Sequence, residues 1–177
     1  EKNLENIFKE FETEQIDTII HVAAFAGNRQ NIRYSTYKEI SSIININYLN
    51  SAWFMKKSCE ILLNNKKTKN KSFIYISTQL AKYKGPGLSI YSSSKAAMNN
   101  LCKTLAHEYA SDGLRVNIVS PGILSNDPYD AYLYKESLNI PLSRLATPKD
   151  VLNAIKFLTS SESSYITGCN IDVNGGR

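Results

Sequence analysis

Three short runs constrain the fold of this chain more than any other feature: Asp17-Thr-Ile-Ile-His-Val-Ala-Ala24, Ser72-Phe-Ile-Tyr-Ile-Ser77 and Leu114-Arg-Val-Asn-Ile-Val-Ser120. The first two are apolar at successive positions, the pattern of a strand buried on both faces, as parallel strands are, and the third, ended sharply by Pro121-Gly122, reads as a further strand. Parallel neighbours need long crossovers, and the stretches between the runs carry helical periodicity. Residues 36–64 place Ile40, Ile43, Ile44, Tyr48, Ala52, Met55 and Ile61-Leu62 at helical spacing, and residues 91–110 form another helix, stopped by Asp112-Gly113. Residues 2–12 read as a helix through Leu4, Ile7, Phe8 and Phe11. Gly85-Pro86-Gly87 marks a loop, and Pro121-Gly122 ends the third strand. Residues 123–147 are irregular, with a short helix expected around Tyr129–Ser137. Thr147-Pro148 opens a helix through Val151, Ala154, Ile155 and Leu158, and Ile166–Val173 supplies a last strand. With no repeat or linker, residues 1–177 form one α/β unit around a parallel sheet.

Composition narrows the function. The chain of 177 residues is 42% hydrophobic and 21% charged, which suits a globular domain. Its formal charge is +5, yet the densest basic run, Lys66, Lys67, Lys69 and Lys71, is interleaved with Asn and Thr and reads as a solvated loop. Nucleic acid is therefore not an expected partner. No apolar run reaches the roughly 18 residues of a membrane helix, and a signal peptide is not expected from the opening residues. Cys59, Cys102 and Cys169 are few, scattered and odd in number. They suggest neither a disulfide framework nor a metal site, and fit a reducing, cytoplasmic setting.

The chemistry lies in Tyr91-Ser-Ser-Ser-Lys95, which follows Thr78. A tyrosine and a lysine four apart share one face of a helix. A free phenol loses its proton near pH 10, and a nearby ammonium favours the charged form. A phenol tuned toward neutral pH is a usable general acid or base for alcohol–carbonyl chemistry. Alone, the Tyr–Lys spacing is a weak motif.

Read together, the segments resemble the short-chain dehydrogenase/reductases of the classical type, a Rossmann-type family with a doubly wound parallel sheet. Asp17–Ala24 resembles the strand that ends in Asn-Asn-Ala-Gly, and Asn47, in Ile-Asn-Ile-Asn47-Tyr-Leu, matches the helical asparagine of the family's catalytic tetrad. Thr78 lies thirteen residues before Tyr91, the family's spacing for its catalytic hydroxyl. Arg115-Val-Asn-Ile-Val-Ser-Pro-Gly122 matches the Pro-Gly motif, while Pro141–Val151 and Tyr165-Ile-Thr-Gly168 match the C-terminal signature.

The resemblance implies an NAD- or NADP-dependent oxidoreductase that interconverts an alcohol and a ketone. Tyr91 would move the proton. Lys95 would lower the phenol pKa and hold the nicotinamide ribose, Thr78 would hydrogen-bond the substrate oxygen, and Asn47 would hold a water in a proton relay. Val22, Ala23 and Ala24 would approach the adenosine side of the cofactor; Pro121, Gly122, Leu124 and Asn126 would line the nicotinamide. The substrate would lie over residues 79–90 and 123–145.

Departures from the family pattern keep other readings open. Thr78 stands for the usual serine, and Asn126 for a threonine. His21-Val-Ala-Ala24 replaces Asn-Asn-Ala-Gly and resembles the extended branch of the superfamily, which makes a sugar-nucleotide epimerase or dehydratase the alternative enzyme. The family's Gly-rich phosphate-binding turn and first βαβαβ half have no counterpart here. The expectation is an N-terminally incomplete domain, the C-terminal portion of the fold, whose missing half is supplied, covered or replaced by a partner. A non-catalytic dinucleotide-binding chain is the third reading.

The bland readings of other residues are structural. His21 reads as packed or hydrogen-bonded rather than a base, His107 as a helix-surface residue, Arg144 as structural, and Trp53 and Phe54 as core or subunit contact. Lys82 and Lys84 read as loop lysines rather than anchors for an anionic substrate. The helices of residues 36–64 and 91–110 resemble those that build dimers and tetramers in the family, so a homo-oligomer is expected.

Overall fold

The computed structural model describes residues 8, 15–83, 85–126 and 138–177. Four strands, β1 (Thr18–His21), β2 (Lys71–Ile76), β3 (Leu114–Pro121) and β4 (Asn170–Val173), form one sheet in the order β1-β2-β3-β4, and all three pairings are parallel. Every residue of β3 is buried, and β2 is buried from Lys71 to Tyr75. Helices cover both faces, so the α/β, doubly wound arrangement expected from the sequence is the one observed.

On one face, α2 (Ser51–Asn64) and α3 (Ser89–Glu108) bury Met55, Leu62, Met98 and Cys102 against Phe73, Tyr75, Val116 and Ile118. On the other, α4 (Pro148–Thr159) packs Val151 and Leu158 on Ile74 and Val119. Strand alternation divides Phe73 and Tyr75 from Ile74 and so feeds both layers. Arg115 points to the second layer, where its guanidinium donates to the Leu158 carbonyl at 2.9 Å and to Asn70 Oδ1 at 2.9 Å.

Several elements differ from the sequence expectation for physical reasons. The helix expected over 36–64 is three pieces: α1 (Tyr37–Ile44), a π-helical segment (Asn45–Asn50) and α2. Thr36 caps α1 through a capping box with Glu39. β1 stops at His21, where its register with β2 ends, leaving Val22, Ala23 and Ala24 as exposed chain. β4 begins at Asn170 rather than Ile166, because Gly168 turns with φ +72° and its N–H bonds the Val116 carbonyl. Lys71 belongs to β2 and not to the solvated loop; its stem is buried and its amine donates to the Leu63 carbonyl at 3.4 Å. The expected helix near Tyr129–Ser137, and the one over 2–12 apart from Phe8, lie outside the described residues.

Candidate active site

The end of β2 delivers Ser77 and Thr78 to the carboxyl rim of the sheet, the edge where open α/β sheets bind ligands. Thr78 adopts extended backbone and caps a short 3-10 turn, Gln79–Ala81, its Oγ1 accepting from the Leu80 N–H at 3.3 Å. That turn is anchored across the rim: Lys82 pairs with Asp172 of β4 at 2.6 Å. Lys82 is thus engaged within the protein, and Lys84 lies outside the described residues.

α3 carries Tyr91 and Lys95 on the face turned to this rim. Tyr91 is half-buried, Lys95 only 1% exposed. A hydrogen-bond interaction with the Thr78 side chain pulls the phenol pKa down, but burial is the larger influence and pushes it above its ordinary value. The direction is opposite to the expected lowering by Lys95. The cause is burial; Lys95 Nζ itself donates to the Ile76 carbonyl at 2.8 Å and sits 4.6 Å from the centre of the Tyr75 ring. Burial lowers Lys95 itself to about 8.

Asn47 occupies the π-helical segment, where widened turns recur at functional sites. It is 1% exposed. Its carboxamide accepts from the Phe25 N–H at 2.8 Å, and donates to the Phe25 carbonyl at 2.8 Å and to Ser94 Oγ at 3.2 Å. Ser94 in turn donates to the Tyr91 carbonyl at 2.7 Å. The carboxamide therefore joins the loop after β1 to the helix that bears Tyr91.

The remaining expected residues scatter along the same rim. Val22, Ala23, Ala24, Leu124 and Asn126 are exposed, and a cavity of about 410 Å³ lined by His21, Val22, Ala23, Asn50 and Phe54 opens beside β1. Gly122 is fitted against β4: its N–H bonds the Val173 carbonyl at 2.9 Å, and a Cβ there would stand 3.0 Å from Asn174 Cα. Leu124 bridges to Ala146, tying the segment after Pro121 to the approach to α4. Arg144 is structural, as read: it makes a two-point pair with Asp150 at 2.8 and 2.9 Å.

Sequence reasoning missed Tyr75 and Ser94. The signal for Tyr75 was a phenol in the middle of an apolar strand stretch, Phe73-Ile-Tyr-Ile76; its hydroxyl is buried and unpartnered among the described residues. His107 is exposed, and His21 is packed, its imidazole stacked on Tyr75 at 5.6 Å and beside Phe54 at 5.0 Å.

A family model described as enoyl-(acyl carrier protein) reductase matches residues 1–177. The chain belongs to the short-chain dehydrogenase/reductase family. It is 34% identical over 165 residues to a 3-oxoacyl-acyl-carrier-protein reductase FabG of Buchnera aphidicola subsp. Schizaphis graminum, covering 91% of this chain and 66% of the relative. It is 32% identical over 179 residues to the FabG of Buchnera aphidicola subsp. Baizongia pistaciae, covering 99% and 71%. The chain thus spans about two thirds of the length of these relatives. Among solved structures it is similar to an NADPH-bound short-chain oxidoreductase from Pseudomonas aeruginosa, with a TM-score of 0.86 and 23% identity over 98% of this chain and 70% of that one. That likeness supports the fold.

Proposed function

We propose that this protein is an NAD- or NADP-dependent oxidoreductase that interconverts an alcohol and a ketone, with Tyr91 as general acid/base and a 3-oxoacyl thioester as the carbonyl substrate. The observation that supports the reading is the Thr78–Tyr91 side-chain interaction just past β2, with the buried Lys95 amine bound to the Ile76 carbonyl two residues before Thr78. The names of the two FabG relatives support the substrate class, and the NADPH-bound neighbour supports the cofactor class.

The residues present suit a nicotinamide dinucleotide. Lys95 carries three N–H donors and gives one to Ile76, which leaves donors for a ribose diol. Ser77 Oγ and Gln79 Oε1, buried at the end of β2, have no partner among the described residues. Val22, Ala23 and Ala24 would meet the adenosine side, and Pro121, Gly122, Leu124 and Asn126 the nicotinamide. The cofactor supplies hydride chemistry.

The chain's own residues handle the proton. Tyr91, kept protonated by burial, is in the form that donates to a ketone oxygen as charge develops there. Thr78 donates a hydrogen bond to the same oxygen. Lys95, one helical turn from Tyr91, would supply a positive charge that favours the phenolate left after transfer. Asn47 holds the Phe25 loop against α3 and retains an Oδ1 lone pair for a relay water.

The wider setting is part of the same proposal. Three free cysteines support a reducing cytoplasm. None of the described helices is long and apolar enough to cross a membrane. A homo-oligomer through the helical stretches of residues 36–64 and 91–110 follows the family resemblance.

Loss of reduced-nicotinamide absorbance on adding a 3-oxoacyl thioester tests the activity. Tyr91→Phe is expected to lower kcat by about 10²–10⁴-fold. An unchanged rate in that variant, or no turnover with any carbonyl substrate, would sink the reading. Turnover of a sugar nucleotide without net change in the cofactor would favour the epimerase or dehydratase alternative, and dinucleotide binding without any turnover the non-catalytic one.

A further inference from the structure

Tyr75 lies outside the catalytic residues derived above, yet it meets the same ammonium. The β1–β2 register pairs it with His21, and both side chains enter the layer beneath α2 and α3. Their rings stack at 5.6 Å with 22° between planes, and Phe54 of α2 closes against the imidazole at 5.0 Å. From α3, Lys95 Nζ comes to 4.6 Å from the Tyr75 ring centre. Tyr75 is 0% exposed and Lys95 1%.

A buried ammonium needs compensation, and Lys95 takes part in none of the ion pairs among the described residues. The titratable groups facing this cluster are His21 from β1, Tyr75 from β2, and Tyr91 and Cys102 from α3 itself. Burial holds His21 down at about 4, lifts the Cys102 thiol to about 12 and raises both phenols. All four are therefore neutral at pH 7. Among the described residues, what remains to stabilise the charge is the Ile76 carbonyl and the Tyr75 ring face.

We propose that Tyr75 is a positioning residue for Lys95, its ring face, backed by the stacked His21, holding the ammonium in place through a cation–π contact. The contact is worth more here than at a surface, because the ring competes with no solvent for the cation. A neutral His21 matters to it, since a second positive charge stacked on the ring would oppose Lys95. The catalytic consequence rests on the oxidoreductase reading; the contact itself does not.

The test replaces Tyr75 by phenylalanine and then by its mono-, di- and trifluorinated forms, which keep the volume close to constant while draining the ring face of negative potential. Carbon-13 NMR of the lysine ε-carbons reads the Lys95 titration midpoint, with Lys95→Arg used to assign the resonance. Phenylalanine is expected to leave the midpoint within a few tenths of a unit, and fluorination to lower it stepwise, by about one pH unit at the trifluoro form. A flat series would overturn the proposal, as would a drop already complete with plain phenylalanine. Nicotinamide-dependent turnover, measured on the same proteins, separates the two claims. A falling midpoint without turnover upholds the contact and sinks the enzyme reading; turnover with a flat series does the reverse.

Discussion

Asn47 and Phe25 exchange two hydrogen bonds of 2.8 Å each, the side-chain carboxamide of one pairing with both backbone polar groups of the other. The partners are 22 residues apart, so the pair closes the whole β1-to-α2 excursion. It acts like a single rung of a sheet, built where no strand runs. The chain after β1 is exposed from Val22 to Ala26, and this rung holds it beside the site.

Asn47→Ala removes the rung and leaves two backbone groups of Phe25 without it. Each such group, where buried, costs about 1–3 kcal/mol. The Phe25 amide should lose its protection from hydrogen exchange, and turnover should fall because the loop no longer holds its place. Unchanged exchange at Phe25 would show that the loop is held elsewhere.

Thr78→Val keeps the shape of the side chain but removes its hydroxyl, and with it both the interaction with Tyr91 and the cap on Leu80. If the hydroxyl stabilises charge on the substrate oxygen, kcat drops by about 10²–10³-fold. Thr78→Ser should stay within a few-fold of the parent. Steady-state kinetics of the two variants side by side decide it; a full rate in Thr78→Val would sink the role of the hydroxyl, and equal losses would mean that the methyl group matters as much as the hydroxyl.

His21 makes stability depend on pH. Burial first, and the Lys95 charge second, hold it down to about 4, against about 6.5 when unfolded. Between those values the unfolded chain binds a proton that the folded chain refuses, so stability declines as pH falls from about 6.5 toward 4 and this contribution levels off below. The loss is on the order of 3 kcal/mol. His21→Phe, which keeps a ring against Tyr75 and Phe54, should abolish that slope. Urea midpoints at pH 7.5 and pH 5 for both proteins provide the measurement.

Gly122→Ala tests the fit between β3 and β4. The new Cβ would stand 3.0 Å from Asn174 Cα and 3.2 Å from its Cβ, closer than the backbone tolerates without shifting. Because this glycine has no positive φ among its constraints, the cost is steric. A loss of about 1–3 kcal/mol in chemical denaturation is expected. A neutral substitution would show that the strand ends yield freely.

Elements whose character comes from local pattern were legible in the chain. β2 read as a buried strand because residues of both parities are apolar, and Thr147-Pro148 announced the start of α4, where the structure adds a capping box with Asp150. Tyr91 and Lys95 share a face because four residues on a helix make just over one turn. None of this needed a neighbour.

Direction and partnership needed the whole fold. The sign of the Tyr91 shift followed from burial in the folded chain, which outweighs the Thr78 hydrogen bond. The break of the 36–64 helix into α and π pieces likewise left no mark in the hydrophobic spacing. Hydrogen bonds that span 22 or 47 residues, such as those of Asn47 with Phe25 and Ser94, exist only once the sheet has set the distance between helix and loop. The sequence by itself determined which residues are apolar, which can ionise and how they repeat along the chain. The tertiary structure alone decided which of them face each other out of water, and with that the charge each can carry.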